Sequence, residues 1–271
     1  MDHLDELESK SIFIIREAYK QFKKVALLWS IGKDSSCLLW LVRKAFYGKI
    51  PFPTVHIDTS YKFPSMIKWR DDYAKKWNLK LIVGQNKNAL AEGMCKDKGA
   101  LQCCTALKTQ PLKDVIAEHK FRALFLGIRR DEHGVRAKER VFSPRNQDFK
   151  WDYKNQPPEL WNQYKAKAEE QEHLRVHPLL HWTELDIWLY IKREKIPIID
   201  LYFAKKGEDG ELCRYRSIGC MPCCRPIKSE AADIDAIIKE LKTTKQGERA
   251  GRAQDKEEAN AMQKLRALGY M

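Results

Sequence analysis

The sequence predicts an α/β protein built on a doubly wound, mostly parallel, Rossmann-like sheet with a helical C-terminal tail. Three observations lead there. Short apolar runs alternate with stretches of helical periodicity, the pattern of β-α units. Each run stops at a polar residue or a glycine, Ser30, Asp58 and Gly127. With 271 residues, 44% of them apolar and 10% aromatic, the chain can fill one large core and still carry a tail, which excludes global disorder.

Ile12, Ile15, Tyr19 and Phe22 recur at helical spacing and open the chain with a helix. Val25 to Trp29 is a continuous apolar run that suits a strand buried on both faces. A turn over Ser30 to Ser36 leads into the apolar helix that starts at Cys37. Thr54 to Ile57 reads as a second strand, Pro64 to Trp77 as a helix, Lys80 to Val83 as a third strand and Arg122 to Leu126 as a fourth. In such sheets ligands bind beyond the carboxyl ends of the strands, so Ser30, Asp58 and Gly127 are expected around one crevice. Residues 145–172 form a polar excursion in which Phe149, Trp151, Tyr153, Trp161 and Tyr164 are interleaved with lysines. Those aromatics could stack nucleobases or pin the excursion to the domain. Thr183 is placed to cap a helix, and two amphipathic helices are expected over Ser229 to Lys242 and Asp255 to Leu268.

Fifty Lys and Arg against thirty-seven Asp and Glu give a formal charge of +13. That surplus points to an anionic partner, a nucleotide, a nucleic acid or an acidic protein. No run approaches the roughly 18 apolar residues of a membrane span, and the acidic, helical start is unlike a secretory signal. A cytoplasmic, membrane-free protein, expected to be an oligomer, follows from this. In that compartment eight cysteines do not read as a disulfide framework.

Ser30-Ile31-Gly32-Lys33-Asp34-Ser35-Ser36 lies between the first strand and an apolar helix. Gly32 lets backbone approach a phosphate closely, and the amides of Asp34, Ser35 and Ser36 would sit at a helix N-terminus that favours an anion. Lys33 offers a mobile positive charge to oxygens that become more negative in a transition state. Ser30, Ser35 and Ser36 add hydroxyls. The Walker A spacing is absent.

This segment resembles the PP-loop of the adenine-nucleotide alpha-hydrolase superfamily, which cleaves ATP between its α and β phosphates. The chain is most similar to the small subunit of sulfate adenylyltransferase and to the related PAPS/APS reductases. Pro51 to Thr59 with Lys62-Phe63, Gly127 to Glu132 with Arg136 to Arg140, Trp151 to Trp161, and Glu248 to Arg252 through Gly269-Tyr270 carry the likeness. It implies a PP-loop ATP pyrophosphatase domain over residues 1–228, a helical tail over 229–271, and ATP with Mg²⁺ as cofactors. Lys33, Asp34, Arg129 and Arg130 would then be catalytic. Ser30, Gly32, Ser35, Ser36, Asp58, Thr59, Gly127 and Arg136 would bind ATP, with Asp58 and Thr59 beside the adenosine. Arginines after a strand end suit bidentate contact with phosphate, although Arg136 to Arg140 also reads as a solvated helix with i,i+4 pairing. Asp34 or Asp131 could hold Mg²⁺ through water. Replacing Lys33 by Ala is expected to abolish turnover and leave the fold intact.

Cys103-Cys104 and Cys220-Met221-Pro222-Cys223-Cys224 depart from the adenylyltransferase pattern. Soft thiolates suit an iron–sulfur cluster or zinc, and adjacent cysteines suit a cubane's separate irons. The pattern resembles the [4Fe-4S] site of assimilatory APS reductases, with Cys103, Cys104, Cys220 and Cys223 as ligands. Zinc and metal-free thiols are the alternatives. Cys224 would be a spare thiol beside the site, Cys37 a core residue, and Cys95 and Cys213 carry no assignment. APS reductases attack with a cysteine near the C-terminus, and none follows Cys224 here, which disfavours a reductase.

The expected activity is adenylylation of an oxygen acceptor with release of pyrophosphate, in the service of sulfur incorporation. The acceptor expected first is a nucleic acid, DNA in phosphorothioation or tRNA in thiolation, with a cysteine desulfurase as sulfur donor. The alternative acceptor is sulfate, with a GTPase large subunit as partner. A non-catalytic nucleic-acid-binding module is the third reading, opposed by the intact Lys33-Asp34-Ser35-Ser36.

Overall fold

The computed structural model describes residues 1–146, 148–152, 154, 156, 158–162, 164, 173–207, 210–244, 247–248, 264–265, 267 and 269. Helix α1 (His3–Phe22) begins with a reciprocal capping box between Asp2 and Asp5. Strand β1 (Val25–Leu28), helix α2 (Lys33–Ala45), strand β2 (Thr54–Ile57), helix α3 (Pro64–Lys76) and strand β3 (Leu81–Gly84) follow. Two short helices, α4 (Lys87–Ala91) and α5 (Ala100–Cys104), precede a π-helical turn at Thr105–Thr109 that runs into α6 (Gln110–His119). Then come β4 (Ala123–Phe125), β5 (Phe142–Arg145), β6 (His173–Val176) and α7 (Glu184–Glu194). A small antiparallel sheet of β7 (Lys205–Lys206), β8 (Leu212–Arg214) and β9 (Ile227–Lys228) leads to α8 (Ile234–Thr243).

The main sheet has the order β3-β2-β1-β4-β6-β5. Its pairs are parallel apart from β5 against β6. From β1 the chain moves outward through β2 and β3, then returns to the other flank of β1 as β4. The two strands therefore diverge in connection at one point, and the crevice above them is where such sheets take ligands.

Alternation explains the apolar run of β1. Val25 and Leu27 pack into one core cluster, with Ile14, Ile15, Leu38, Val42, Ile187 and Trp188 of α1, α2 and α7. Ala26 and Leu28 point the other way, to a second cluster with Leu112, Val115 and Ile116 of α6. Both faces are covered, so all four strand residues are buried.

The β5–β6 hairpin has no counterpart in the sequence reading. Ser143, Arg145, His173 and Arg175 are buried within it, so polar side chains stand where the alternation rule expects apolar ones. Pro144 is tolerated because β5 is an edge strand. The excursion after β5 is pinned by its aromatics. Tyr164 stacks on Phe142 with centroids 5.1 Å apart, Phe149 lies 4.7 Å from His173, and the Arg145 guanidinium sits 5.3 Å over the Trp151 ring. Trp161 differs, being 85% exposed. Tyr153 and most of the second tail helix, Asp255 to Leu268, lie outside the described residues. No helix among the described residues is long and apolar enough to cross a membrane.

Candidate active site

The turn from β1 to α2 is held in an uncommon conformation. Ile31 has φ 69°, a left-handed geometry that costs a β-branched residue about 1–3 kcal/mol. Gly32 caps α2 without a side-chain hydrogen bond of its own, and the first helix amide, that of Lys33, is met by the Tyr202 hydroxyl. The Ser35 hydroxyl donates to the Gly32 carbonyl at 3.0 Å and lies 3.1 Å from the Ser30 hydroxyl. Across the sheet, a Cβ on Gly127 would stand 3.0 Å from the Asp34 carbonyl and the Ser35 nitrogen. Glycine there lets the end of β4 close against the loop.

Between the two strand ends opens a cleft. Leu28, Ile57, Leu126 and Ile128 give it an apolar wall suited to a flat ring. Ser30, Gly32, Lys33, Asp34, Ser35, Gly127 and Arg136 bring seven of the expected site residues to its surface. The Arg136 guanidinium, at a 3-10 turn, pairs with Glu132. The other expected residues lie elsewhere. Ser36 is buried and its hydroxyl accepts the Trp29 indole N–H at 3.3 Å. Asp58 accepts the Ser60 amide at 2.8 Å, and Thr59 lies 3.1 Å from the Cys220 sulfur. Arg130 turns away, donating to the Glu139 carbonyl at 3.0 Å and lying 3.0 Å from His181 Nδ1 on a separate groove.

Behind the cleft lies a buried ionic network that no sequence spacing announced. Arg129 is fully buried, with Nε donating to Asp34 at 2.6 Å and its two terminal nitrogens donating to Asp131 and Glu248. Glu248 also accepts from the Lys33 ammonium through its other oxygen. One carboxylate thus bridges Lys33, which lines the cleft, and Arg129 behind it. Lys33 further lies 3.4 Å from Asp34 and 3.8 Å from Glu184. Arg216 donates to Glu184 at 2.7 Å and 3.1 Å, and the Glu184 amide donates to Asp131 at 2.7 Å. Burial acts to lower the Lys33 pKa, but Asp34, Glu248 and Glu184 outweigh it and hold the ammonium above its ordinary value. Burial alone would raise Glu248; Lys33 and Arg129 overcome it and keep that carboxylate well below the usual range. Burial pushes Glu184 and Asp131 up. Glu248, Glu184, Arg216 and Tyr202 were not singled out as site residues in the sequence. Only the tail likeness that begins at Glu248 touched one of them.

The cysteines form a second, smaller pocket. Cys103, Cys104, Cys220 and Cys223 all line it. Two backbone contacts join the Cys220 turn to the loop after β2: a bridge between Lys62 and Cys220, and the Met221 amide donating to the Tyr61 carbonyl at 2.7 Å. Burial, then the neighbouring thiols Cys104, Cys220 and Cys223, push Cys103 up to about 12, against Lys108. Lys108 lies on the π-helical turn and lines both the thiol pocket and the cleft. Among the described residues, no three His, Cys, Asp or Glu side chains close on one point as a single metal ion requires. The expected cluster ligands thus share one pocket without forming a metal site among the described residues. Cys224 and Cys37 pack in the apolar core. Cys213 is on β8 and Cys95 precedes a 3-10 turn.

Comparison with known proteins places this geometry in context. Residues 24–226 match the phosphoadenosine phosphosulfate reductase domain family. The chain is 43% identical, over its whole length and 98% of the relative, to sulfate adenylyltransferase subunit 2 of Psychromonas ingrahamii. It is 44% identical to the protein of that name from Aeromonas salmonicida, covering 96% of it. Among solved structures it is similar to Candida glabrata FMN adenylyltransferase in complex with ATP. That match has TM-score 0.57 and 18% identity, over 93% of this chain and 88% of that one. The phosphoadenylyl-sulfate reductase of Candida auris has TM-score 0.53 and 17% identity, over 74% of this chain and 90% of that one. At those identities the likeness is one of fold.

Proposed function

This chain belongs to the phosphoadenosine phosphosulfate reductase domain family, and from that premise we propose that it adenylylates sulfate. A sulfate oxygen attacks the α-phosphorus of ATP, the bond to the β-phosphate breaks, and adenylyl sulfate and pyrophosphate result. The observation that carries this reading is the Glu248 carboxylate bridging Lys33 and Arg129 beside the N-terminus of α2. Lys33, on the cleft wall at that helix end, is suited to phosphate. Such chemistry asks the protein for positioning and positive charge more than for covalent work. The apolar wall would take adenine, the α2 amides and Lys33 the phosphates, and Arg136 the mouth of the cleft. Asp34, which lines the cleft, would hold Mg²⁺ through water, whereas Asp131 lies behind it with both oxygens taken by Arg129 and the Glu184 amide. The relatives' name, subunit 2, supports a larger partner subunit, for which a GTPase is the candidate.

The thiol pocket favours a second reading, in which the acceptor is a nucleic acid and sulfur later displaces the adenylate. Cys103, Cys104, Cys220 and Cys223 would hold a [4Fe-4S] cluster, which when bound supplies a redox-active, sulfur-containing centre beside the acceptor. A cysteine desulfurase would be the sulfur donor. The relatives named sulfate adenylyltransferase subunit 2 favour sulfate over the nucleic acid that the sequence puts first.

One experiment separates the two. Anaerobically purified protein is given ATP and Mg²⁺ with sulfate alone, with sulfate and a GTPase large subunit, or with DNA or tRNA. Pyrophosphate and adenylyl sulfate formed in the sulfate arms are the expected result. Pyrophosphate that follows nucleic acid and ignores sulfate would overturn sulfate as acceptor. No pyrophosphate in any arm would overturn adenylyl transfer itself.

A further inference from the structure

Tyr202 belongs to no motif, yet it touches the phosphate loop twice. It ends the 3-10 turn Asp200–Tyr202 that follows α7. Its ring stands edge-on to Trp188 at 5.5 Å and 81°, and the residue is 1% exposed. The hydroxyl accepts the backbone N–H of Lys33 at 2.9 Å, and the ring lies 5.8 Å from the Lys33 ammonium. Tyr202 is among the residues that line the cleft. A Cβ on Gly32 would lie 3.5 Å from the hydroxyl.

A phenol both accepts and donates. The accepting side is taken by Lys33, and the O–H proton has no acceptor among the described residues. A hydroxyl that accepts from the positive end of a helix becomes a stronger donor, because linked hydrogen bonds polarise one another. Burial, helped by Asp34 and Glu248 and opposed by Lys33, holds the phenol's pKa above its ordinary value, so the proton stays in place at neutral pH.

We propose that Tyr202 is a catalytic hydrogen-bond donor, its hydroxyl passing the positive end of α2 on to a phosphoryl oxygen of bound ATP. This rests on adenylyl transfer in the cleft, whichever acceptor is used. The first amide of α2 then acts through the phenol instead of touching phosphate directly. Charge that grows on the phosphoryl oxygens as pyrophosphate leaves would strengthen the contact, which is the differential binding that accelerates a reaction.

The test is Tyr202→Phe. Its kcat for pyrophosphate release should fall about 100-fold, the usual effect of losing one such donor, with KM for ATP nearly unchanged. Removing the hydroxyl also leaves the Lys33 amide without its acceptor, so a second variant separates the roles. A fluorotyrosine of lowered pKa at position 202 keeps its acceptor oxygen when ionised but loses its proton. Its kcat should fall as pH rises through the fluorophenol pKa, with no matching fall in the unmodified protein. A Tyr202→Phe kcat within about threefold of the parent, or a fluorotyrosine profile parallel to it, would overturn the proposal. The ¹⁹F resonance of that fluorotyrosine gives a readout without turnover. It should shift when α,β-methylene ATP binds, and an unmoved resonance at saturation would overturn the contact. Equal pyrophosphate release by the parent and Lys33→Ala would instead overturn the cleft reading underneath.

Discussion

Removing the Lys33 ammonium should cost stability as well as turnover. The sequence alone suggests a mobile substrate-binding lysine, whose loss leaves the fold unharmed. In the structure Lys33 is 1% exposed and neutralises Glu248, Asp34 and Glu184. Its removal leaves Glu248 and Asp34 to Arg129 and Glu184 to Arg216, so the loss is at most about 3 kcal/mol, the low end for a broken buried pair. Lys33→Ala should therefore unfold at lower urea, and Lys33→Ala/Glu248→Gln should recover part of the loss. Equal midpoints for the parent and the single variant would show that the network adds nothing. The loop residues were legible because glycine, lysine and serines occur within seven consecutive positions between a strand and a helix. Glu248 was not, since it lies 215 residues from Lys33 and no local pattern links them. Arg129 and Arg130 show the same limit in miniature. Two neighbouring arginines look alike in sequence, and the chain sends one behind the cleft and the other to a separate groove.

Elements place the chemistry through close approach. Gly127 ends β4 against the first turn of α2, and the atoms that an added Cβ would meet are backbone, which cannot swing aside. Gly127→Ala should push the α2 N-terminus out of place. Since a misplacement near 1 Å can cost on the order of 100-fold, pyrophosphate release should drop at least tenfold with the circular dichroism spectrum retained. Release at the parent rate would show that the strand end can yield. The parallel core, β1 to β4, was readable because apolar runs and their polar stops are strong signals. The β5–β6 hairpin was hidden because Arg145, His173 and Arg175 occupy buried positions. The π-helical turn at Thr105–Thr109 was also hidden. One additional residue per turn leaves no mark on composition, yet it carries Lys108 to the wall shared by two pockets.

Across the whole molecule, acid should loosen the fold before its carboxylates matter. His56, His173 and His177 are buried. Burial, with Lys62 second, pushes His56 down to about 3, and burial, with Arg175 and Arg145, pushes His173 to about 2. His177 is held low chiefly by burial. Each is neutral when folded, while the unfolded chain takes up its proton below about pH 6.5. Their contribution is therefore complete above that pH and is lost as pH falls, by up to about 1.4 kcal/mol per unit for each histidine. Urea midpoints should decline steadily from pH 7 to pH 5. His56→Asn, which can still donate to the Trp29 carbonyl that His56 meets at 2.8 Å, should flatten the slope. An unchanged midpoint over that range would contradict neutral burial. The bridge from Glu248 to Lys33 has one more consequence, for the timing of assembly. During synthesis the phosphate loop leaves the ribosome early, and domains generally fold from the N-terminal side. The carboxylate that ties its lysine to Arg129 is translated more than two hundred residues later. Until then Asp34, Asp131 and Glu184 alone face the two cations, and the tail's carboxylate completes the network last.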